Sequence, residues 1–166
     1  FNMASLWKLP VIYVIENNRY AMGTAVARAS ATTELYRRGE AFGIPGLRVD
    51  GMDVLSVYAA AKDVVARVRG GEGPFVMELD TYRYRGHSMS DPAKYRTKDE
   101  VQSVRKQHDP IDNLRAYMLE HQLVDEEAFK GIDREIKDIV NDAAEFSQTS
   151  PEPDPSELWT DVLIEA

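Results

Sequence analysis

The chain has 166 residues, of which 43% are hydrophobic and 29% charged, with no cysteine and a formal net charge of −8. That supports one domain, or a domain with an appendage, and it excludes whole-chain disorder, a disulfide scaffold, a zinc ribbon and a thiol nucleophile. The charge is uneven: residues 1–97 carry 13 Lys and Arg against 10 Asp and Glu, residues 98–166 carry 7 against 18, and so acidic a surface makes nucleic acid an unexpected partner.

The opening Phe1-Asn2-Met3-Ala4-Ser5 has no leader pattern and no initiating methionine, so the chain is expected to start inside a longer protein. Val11-Ile12-Tyr13-Val14-Ile15 is apolar on both faces, as a covered strand of a parallel sheet is, and is far too short to span a membrane. No membrane is expected as a partner. A second strand is expected at Leu47-Arg48-Val49. Asp53 then caps a helix running to Arg69, with Val54, Val57, Ala61, Val64, Val65 and Val68 on one face and Gly70 past its end. The turn from Gly70 to Pro74 leads into a third strand, Phe75 to Leu79. Strand, helix and strand with short connections predict a right-handed parallel crossover, hence α/β with a doubly wound, mainly parallel sheet.

Periodicity stops at residue 82. Tyr82 to Arg96 reads as a long loop, and such loops are commonly functional or mobile. Thr97-Lys98-Asp99-Glu100 is a capping box that restarts helix near residue 98, and further helices are expected at 110–121 and 125–147. In the last of these, Phe129, Ile132, Ile136, Ile139, Ala143 and Phe146 form a packing seam for the core or a partner subunit. Pro151, Pro153 and Pro155 make a semi-rigid tail ending in the docking candidates Leu158, Trp159 and Leu163.

Chemistry concentrates in two places. Asn17-Asn18-Arg19-Tyr20 follows a strand at the carboxyl end of the sheet, where ligands bind in open α/β folds. An amide oxygen and a turn carbonyl there suit magnesium, although an Asn pair also serves simply as an Asx turn. The second place is the loop, where His87 is the acid/base candidate, since His108 and His121 lie in charge-rich helices. A histidine in a loop can equally be a solvated or locally hydrogen-bonded side chain. Gly86-His87-Ser88-Met89 is not a nucleophile elbow, the glycines at 70, 71 and 73 do not open a helix, and no histidine pair has metal-binding spacing.

Taken together, Phe1 to Pro10, Glu16-Asn17-Asn18-Arg19-Tyr20-Ala21-Met22-Gly23-Thr24, Val49-Asp50-Gly51-Met52-Asp53, and Tyr82 through Pro92 with Tyr95-Arg96-Thr97 resemble the alpha subunits of pyruvate dehydrogenase first components, which are thiamine-diphosphate-dependent 2-oxo acid dehydrogenases. The resemblance runs from residue 1 to about 160 and covers only the C-terminal portion of such a subunit, because the Gly-Asp-Gly half of the cofactor motif would lie upstream of Phe1. It implies that residues 1–97 complete a thiamine-diphosphate-binding domain carrying an active-site loop at 83–96, and that residues 98–166 are an acidic helical extension with a Pro-rich tail. Asn18 through its side-chain oxygen and Tyr20 through its carbonyl would bind Mg2+ and thereby thiamine diphosphate. His87 would face the thiazolium end of the cofactor, with Arg83, Asp91, Tyr95 and Arg96 seating the loop. Ser88 occupies the place of a regulatory phosphate acceptor in mitochondrial members. Ala25 and Lys94 stand where further acceptors would be, which favours a bacterial cytoplasm over the mitochondrial matrix.

The resemblance further implies oxidative decarboxylation of pyruvate, with the acetyl unit passing to a lipoyl domain of the acetyltransferase component. The site would be shared with a beta subunit in an alpha2beta2 heterotetramer within a multienzyme complex. The 166 residues alone are expected to be inactive. Action on another 2-oxo acid or on acetoin is the alternative for the whole protein, and a non-catalytic assembly module is the alternative for the piece.

Overall fold

A computed structural model describes residues 1–160. The chain divides into two compact units, Phe1–Tyr117 and Met118–Ala166. The first begins with a short helix α1 (Asn2–Leu6), strand β1 (Ile12–Asn17), a two-stranded ribbon of β2 (Tyr20–Ala21) and β3 (Thr24–Ala25), and a single-turn α2 (Val26–Ala29). A 3-10 segment, Leu35–Phe42, precedes β4 (Gly46–Asp50), α3 (Val54–Arg69), β5 (Phe75–Asp80), α4 (Lys98–His108) and α5 (Pro110–Glu120).

The sheet has the order β1-β5-β4 and is parallel throughout. The chain therefore lays down both outer strands before filling the middle with β5. This makes β5 the strand buried on both faces, whereas β1, expected to be covered on both sides, is an outer strand with Val14 exposed. Helix α3 joins β4 to β5, its N-terminus capped by the Asp53 carboxylate accepting from Leu55 N–H at 3.0 Å.

Alternation along β5 divides its side chains between two layers. Phe75 and Met77 pack with Val49, Val64 and Val68 into the core under α3. Val76 and Glu78 face the opposite way, where the 3-10 segment covers them: Tyr36 N–H reaches Glu78, and a Cβ on Gly39 would meet Val76 at 3.0 Å. Gly46 is glycine for a similar reason, since a Cβ there would stand 2.2 Å from the Tyr36 carbonyl.

Residues 81–97 form no helix or strand, as expected, and α4 starts where Thr97 Oγ1 accepts from Glu100 N–H at 3.1 Å. The reciprocal half of the capping box is absent because the Glu100 carboxylate accepts from the Tyr82 hydroxyl instead, at 2.8 Å.

In the second unit, α6 (Glu126–Thr149) is capped by Asp125, whose carboxylate accepts from Ala128 N–H at 2.8 Å. Its Ile132, Ile136, Ile139, Val140 and Phe146 are exposed. The proline tail tightens into a short 3-10 turn, Pro155–Trp159, with Leu158 and Trp159 exposed, while Leu163 lies outside the described residues.

Candidate functional site

The register of the sheet brings Asn17, Asp80 and Asp50 level at the carboxyl ends of β1, β5 and β4. Arg19 donates to Asp80 from Nε and Nη2, both at 2.9 Å, and Arg48 Nη2 joins the same carboxylate. Burial pushes the Asp80 carboxyl up, but the hydrogen bonds from Arg19 and Arg48 outweigh it and hold the group below its ordinary range. The Asp80 hydrogen bond raises the Arg19 guanidinium in turn.

Beside this cluster the two asparagines divide the work that the sequence left open between them. Asn17 makes the Asx turn: its Oδ1 accepts from Arg19 N–H at 3.0 Å, while its Nδ2 donates to Glu78 Oε1 at 2.7 Å. Arg19 follows in the left-handed region at φ +62°. Asn18 is left with its Oδ1 accepting from Thr81 Oγ1 at 3.2 Å, and the Tyr20 carbonyl accepts from Arg83 Nη1 at 3.4 Å.

The loop after β5 is held by polar contacts. Arg83 also donates to the Met22 and Arg85 carbonyls and to the Tyr95 hydroxyl. Asp91 accepts from His87 N–H at 2.7 Å, Ala93 N–H at 2.9 Å and the Tyr95 hydroxyl at 2.8 Å. Those three hydrogen bonds, with Arg83 nearby, lower its carboxyl to about 2. Arg96 is buried, donates to the Arg83 and Arg85 carbonyls, and lies over the Tyr82 and Tyr95 rings at 5.2 and 5.5 Å. The Tyr95 ring in turn sits 5.1 Å from that of Tyr20.

Of the residues expected at the site, Tyr20, Arg83, Asp91, Tyr95 and Arg96 thus form one connected patch, while Asn18, two residues before Tyr20, is tied to Thr81. His87 and Ser88 are exposed at the loop's tip, where Ser88 Oγ and Ser90 Oγ stand 3.0 Å apart. Neither lines the two clefts beside the strand ends. One cleft, of about 520 Å³, is bordered by Arg19, Arg48, Asp50, Asp80 and His108. The other, of about 370 Å³, is bordered by Asn17, Tyr20, Arg48, Tyr82 and Glu100.

A divalent cation is tested by these donors. The Asn18 amide oxygen and the Tyr20 carbonyl are hard oxygens on one turn, and each retains a lone pair beyond its single hydrogen bond, so they fit as part of a magnesium shell. They do not complete one: no group of three His, Cys, Asp or Glu suited to a metal exists among the described residues. The Arg83 guanidinium on the Tyr20 carbonyl is positive charge where that shell would form, so a cation there requires Arg83 to swing aside.

Sequence reading gave no role to Glu78, Asp80 or Arg48, and none to Arg19 beyond its place in the Asn turn. Its available signal was two acids at alternate positions of an otherwise apolar, buried strand, which demands polar partners.

Residues 1–156 match the model of the family described as dehydrogenase E1 component. The chain is 60% identical over 164 residues to the pyruvate dehydrogenase E1 component subunit alpha of Rhizobium meliloti (strain 1021), covering 99% of this chain and 47% of that protein. It is 52% identical to the subunit of the same name from Zymomonas mobilis, covering 99% and 46%. To the somatic, mitochondrial form from Bos taurus it is 54% identical, covering 95% and 40%. The chain therefore spans about half the length of the curated relatives it matches.

Proposed function

The chain belongs to the dehydrogenase E1 component family, and from that premise we propose that it is part of an alpha subunit of pyruvate dehydrogenase, acting in oxidative decarboxylation of pyruvate with thiamine diphosphate and Mg2+. The observation that carries this reading is the Asn17 to Tyr20 turn at the carboxyl end of a parallel sheet, with two hard oxygens under a loop tied to it by Arg83. The residues 1–97 are read as part of a doubly wound thiamine-diphosphate-binding domain, and residues 98–166 as a helical extension.

Thiamine diphosphate supplies, when bound, the electron sink that lets carbon dioxide leave a 2-oxo acid. This chain's part is placement and charge. Asn18 Oδ1 and the Tyr20 carbonyl would hold the cation, whose charge would offset that of the diphosphate. Arg83, released from the Tyr20 carbonyl, remains anchored at Tyr95 and Met22. His87, carried on a loop held by Asp91 and Arg96, would offer a ring N–H to the substrate carboxylate. Ser88 beside it is the position at which added negative charge would act on the loop.

A beta subunit completing the site in an alpha2beta2 heterotetramer, and a lipoyl domain of the acetyltransferase component receiving the acetyl unit, are the proposed partners. Two of the three relatives described above are bacterial, which supports a cytoplasmic setting. Among the described residues no helix is long and apolar enough to cross a membrane. The exposed apolar stripe of α6 supports a second role in assembly.

Asn18→Ala in the full-length alpha subunit, assembled with its beta subunit, is expected to weaken binding of Mg2+ and thiamine diphosphate by about tenfold or more. Titration showing unchanged affinity would overturn the assignment.

A further inference from the structure

Glu78 is the one charged side chain in the middle strand that is fully buried, at 0% exposure. Nothing in the proposed chemistry uses it. Each of its oxygens accepts one strong hydrogen bond: Oε1 from Asn17 Nδ2 at 2.7 Å, Oε2 from Tyr36 N–H at 2.9 Å. Arg48 Nε stands 4.0 Å from Oε1 while that guanidinium is engaged with Asp80. A buried acid is costly to keep unless its partners are specific, so these partners indicate what the position is for.

The partners set the orientation of the Asn17 amide. With Oε1 demanding a donor, Nδ2 must face Glu78, and Oδ1 must face Arg19 N–H. That second bond closes the Asx turn, which carries Arg19 into the left-handed region and sets where Asn18 Oδ1 and the Tyr20 carbonyl stand. Were the amide reversed, its NH2 would face Arg19 N–H and its oxygen would face Glu78 Oε1, and the turn would open.

We infer that Glu78 is a positioning residue for the cation-binding turn, acting through Asn17 rather than by touching the cation. The inference rests on the proposed role of Asn18 and Tyr20. It has a specific chemical signature, because both partners of Glu78 are donors. Glutamine at position 78 has one acceptor oxygen and must set its NH2 against either Asn17 Nδ2 or Tyr36 N–H. Exchanging the roles removes the conflict: with Asn17→Asp and Glu78→Gln together, the new amide donates to one aspartate oxygen, the other aspartate oxygen still accepts from Arg19 N–H, and the glutamine oxygen still accepts from Tyr36 N–H. The count of charges is unchanged.

The experiment uses the full-length alpha subunit assembled with its beta subunit, in wild type, Asn18→Ala, Glu78→Gln, Asn17→Ala and the Asn17→Asp/Glu78→Gln pair. Calorimetry measures thiamine diphosphate affinity at fixed Mg2+, electron paramagnetic resonance measures Mn2+ affinity, and the unliganded melting temperature is recorded alongside. Glu78→Gln and Asn17→Ala are each expected to weaken both affinities by about tenfold, and the paired variant to return them to within about threefold of wild type, with Glu78 and Asn17 coupled as a unit. A melting temperature that falls while affinity stays put in Glu78→Gln or Asn17→Ala would overturn the inference, as would a folded pair still about tenfold weak. Where Glu78→Gln fails to fold, Asn17→Ala and the pair decide by the same criteria. If Asn18→Ala alone leaves the affinities unchanged, the cation-site reading fails and the inference falls with it, whereas weak Asn18→Ala with normal Glu78→Gln rejects only the inference.

Discussion

Asp91 shows how a half-buried side chain fixes a loop: a single carboxylate collects two backbone N–H groups and one phenol, each of which favours its ionised form. Its value falls from the ordinary 3.8 to about 2, led by the His87 and Ala93 backbone hydrogen bonds. A depressed acid of this kind contributes stability that is fully present above its unfolded value, and the contribution is lost as the pH drops through the folded one. Amide-exchange protection at His87 and Ala93 is therefore expected to be flat from pH 8 to about 5 and to decay only below about pH 4. Asp91→Asn, which keeps one acceptor oxygen for three donors, is expected to lose that protection at every pH. A loss of wild-type protection setting in between pH 5 and 8 would show that a different group holds the loop. The contacts behind this were not legible beforehand, because a stretch rich in Gly, Ser and Asp has no period and its order comes from side-chain-to-backbone bonds between positions no template relates. The sequence singles out Arg83, Asp91, Tyr95 and Arg96 within this stretch, and the structure links them by contacts that no spacing rule foretells.

At the scale of elements, those with a repeat were legible and those without were not. Helix α3 follows from its valines, its Asp53 cap and Gly70, and β5 from a mostly apolar run, Phe75 to Leu79, after a glycine turn. The 3-10 segment escapes such reading, since the apolar face of Leu35, Gly39 and Phe42 spans only eight residues and has a glycine in its middle. Tertiary demand shapes it instead: Gly39 has no room for a side chain beside Ile44 and Val76, and Tyr36 N–H must satisfy Glu78. The half-exposed burial of β1 departs from the expected covered strand for a related reason, because an apolar run says that a strand has apolar faces and is silent about its place in the sheet. The cap on α3 offers a clean energetic test. Asp53→Ala removes an acceptor from the first turn and is expected to lower unfolding free energy by about 1 kcal/mol, read as a shift of the urea midpoint without a change in slope. Because Asp53 lies outside the Asn turn, thiamine diphosphate affinity is expected to hold. A shift below a few tenths of a kcal/mol would mean that solvent replaces the cap.

For the whole molecule, the parallel α/β class and the placing of the Asn turn at the strand ends were readable, whereas the order β1-β5-β4 was not. Adjacency in a sheet is decided by which buried faces fit, and sequence proximity favoured β4 and β5 without saying that β1 docks on the far side of β5. That order has a consequence in time. Arg48 and Asp80 are 32 positions apart and are joined by a compact crossover, while Asn17 and Glu78 are 61 positions apart and meet only when the N-terminal strand arrives. The longer closure costs more chain entropy before any contact repays it, so β4, α3 and β5 form the early folding unit and β1 joins late. Until it does, Glu78 holds a carboxylate in the growing core without its side-chain donor, Asn17 Nδ2. The expected outcome in pulsed hydrogen exchange during refolding is protection of β5 amides facing β4 before those of β1, and simultaneous protection of all three strands would contradict it. The corner proposed to hold the cation is thereby expected to be the last part of these three strands to close, so ligand present during refolding is expected to act on the final docking step and to leave the earlier ones untouched.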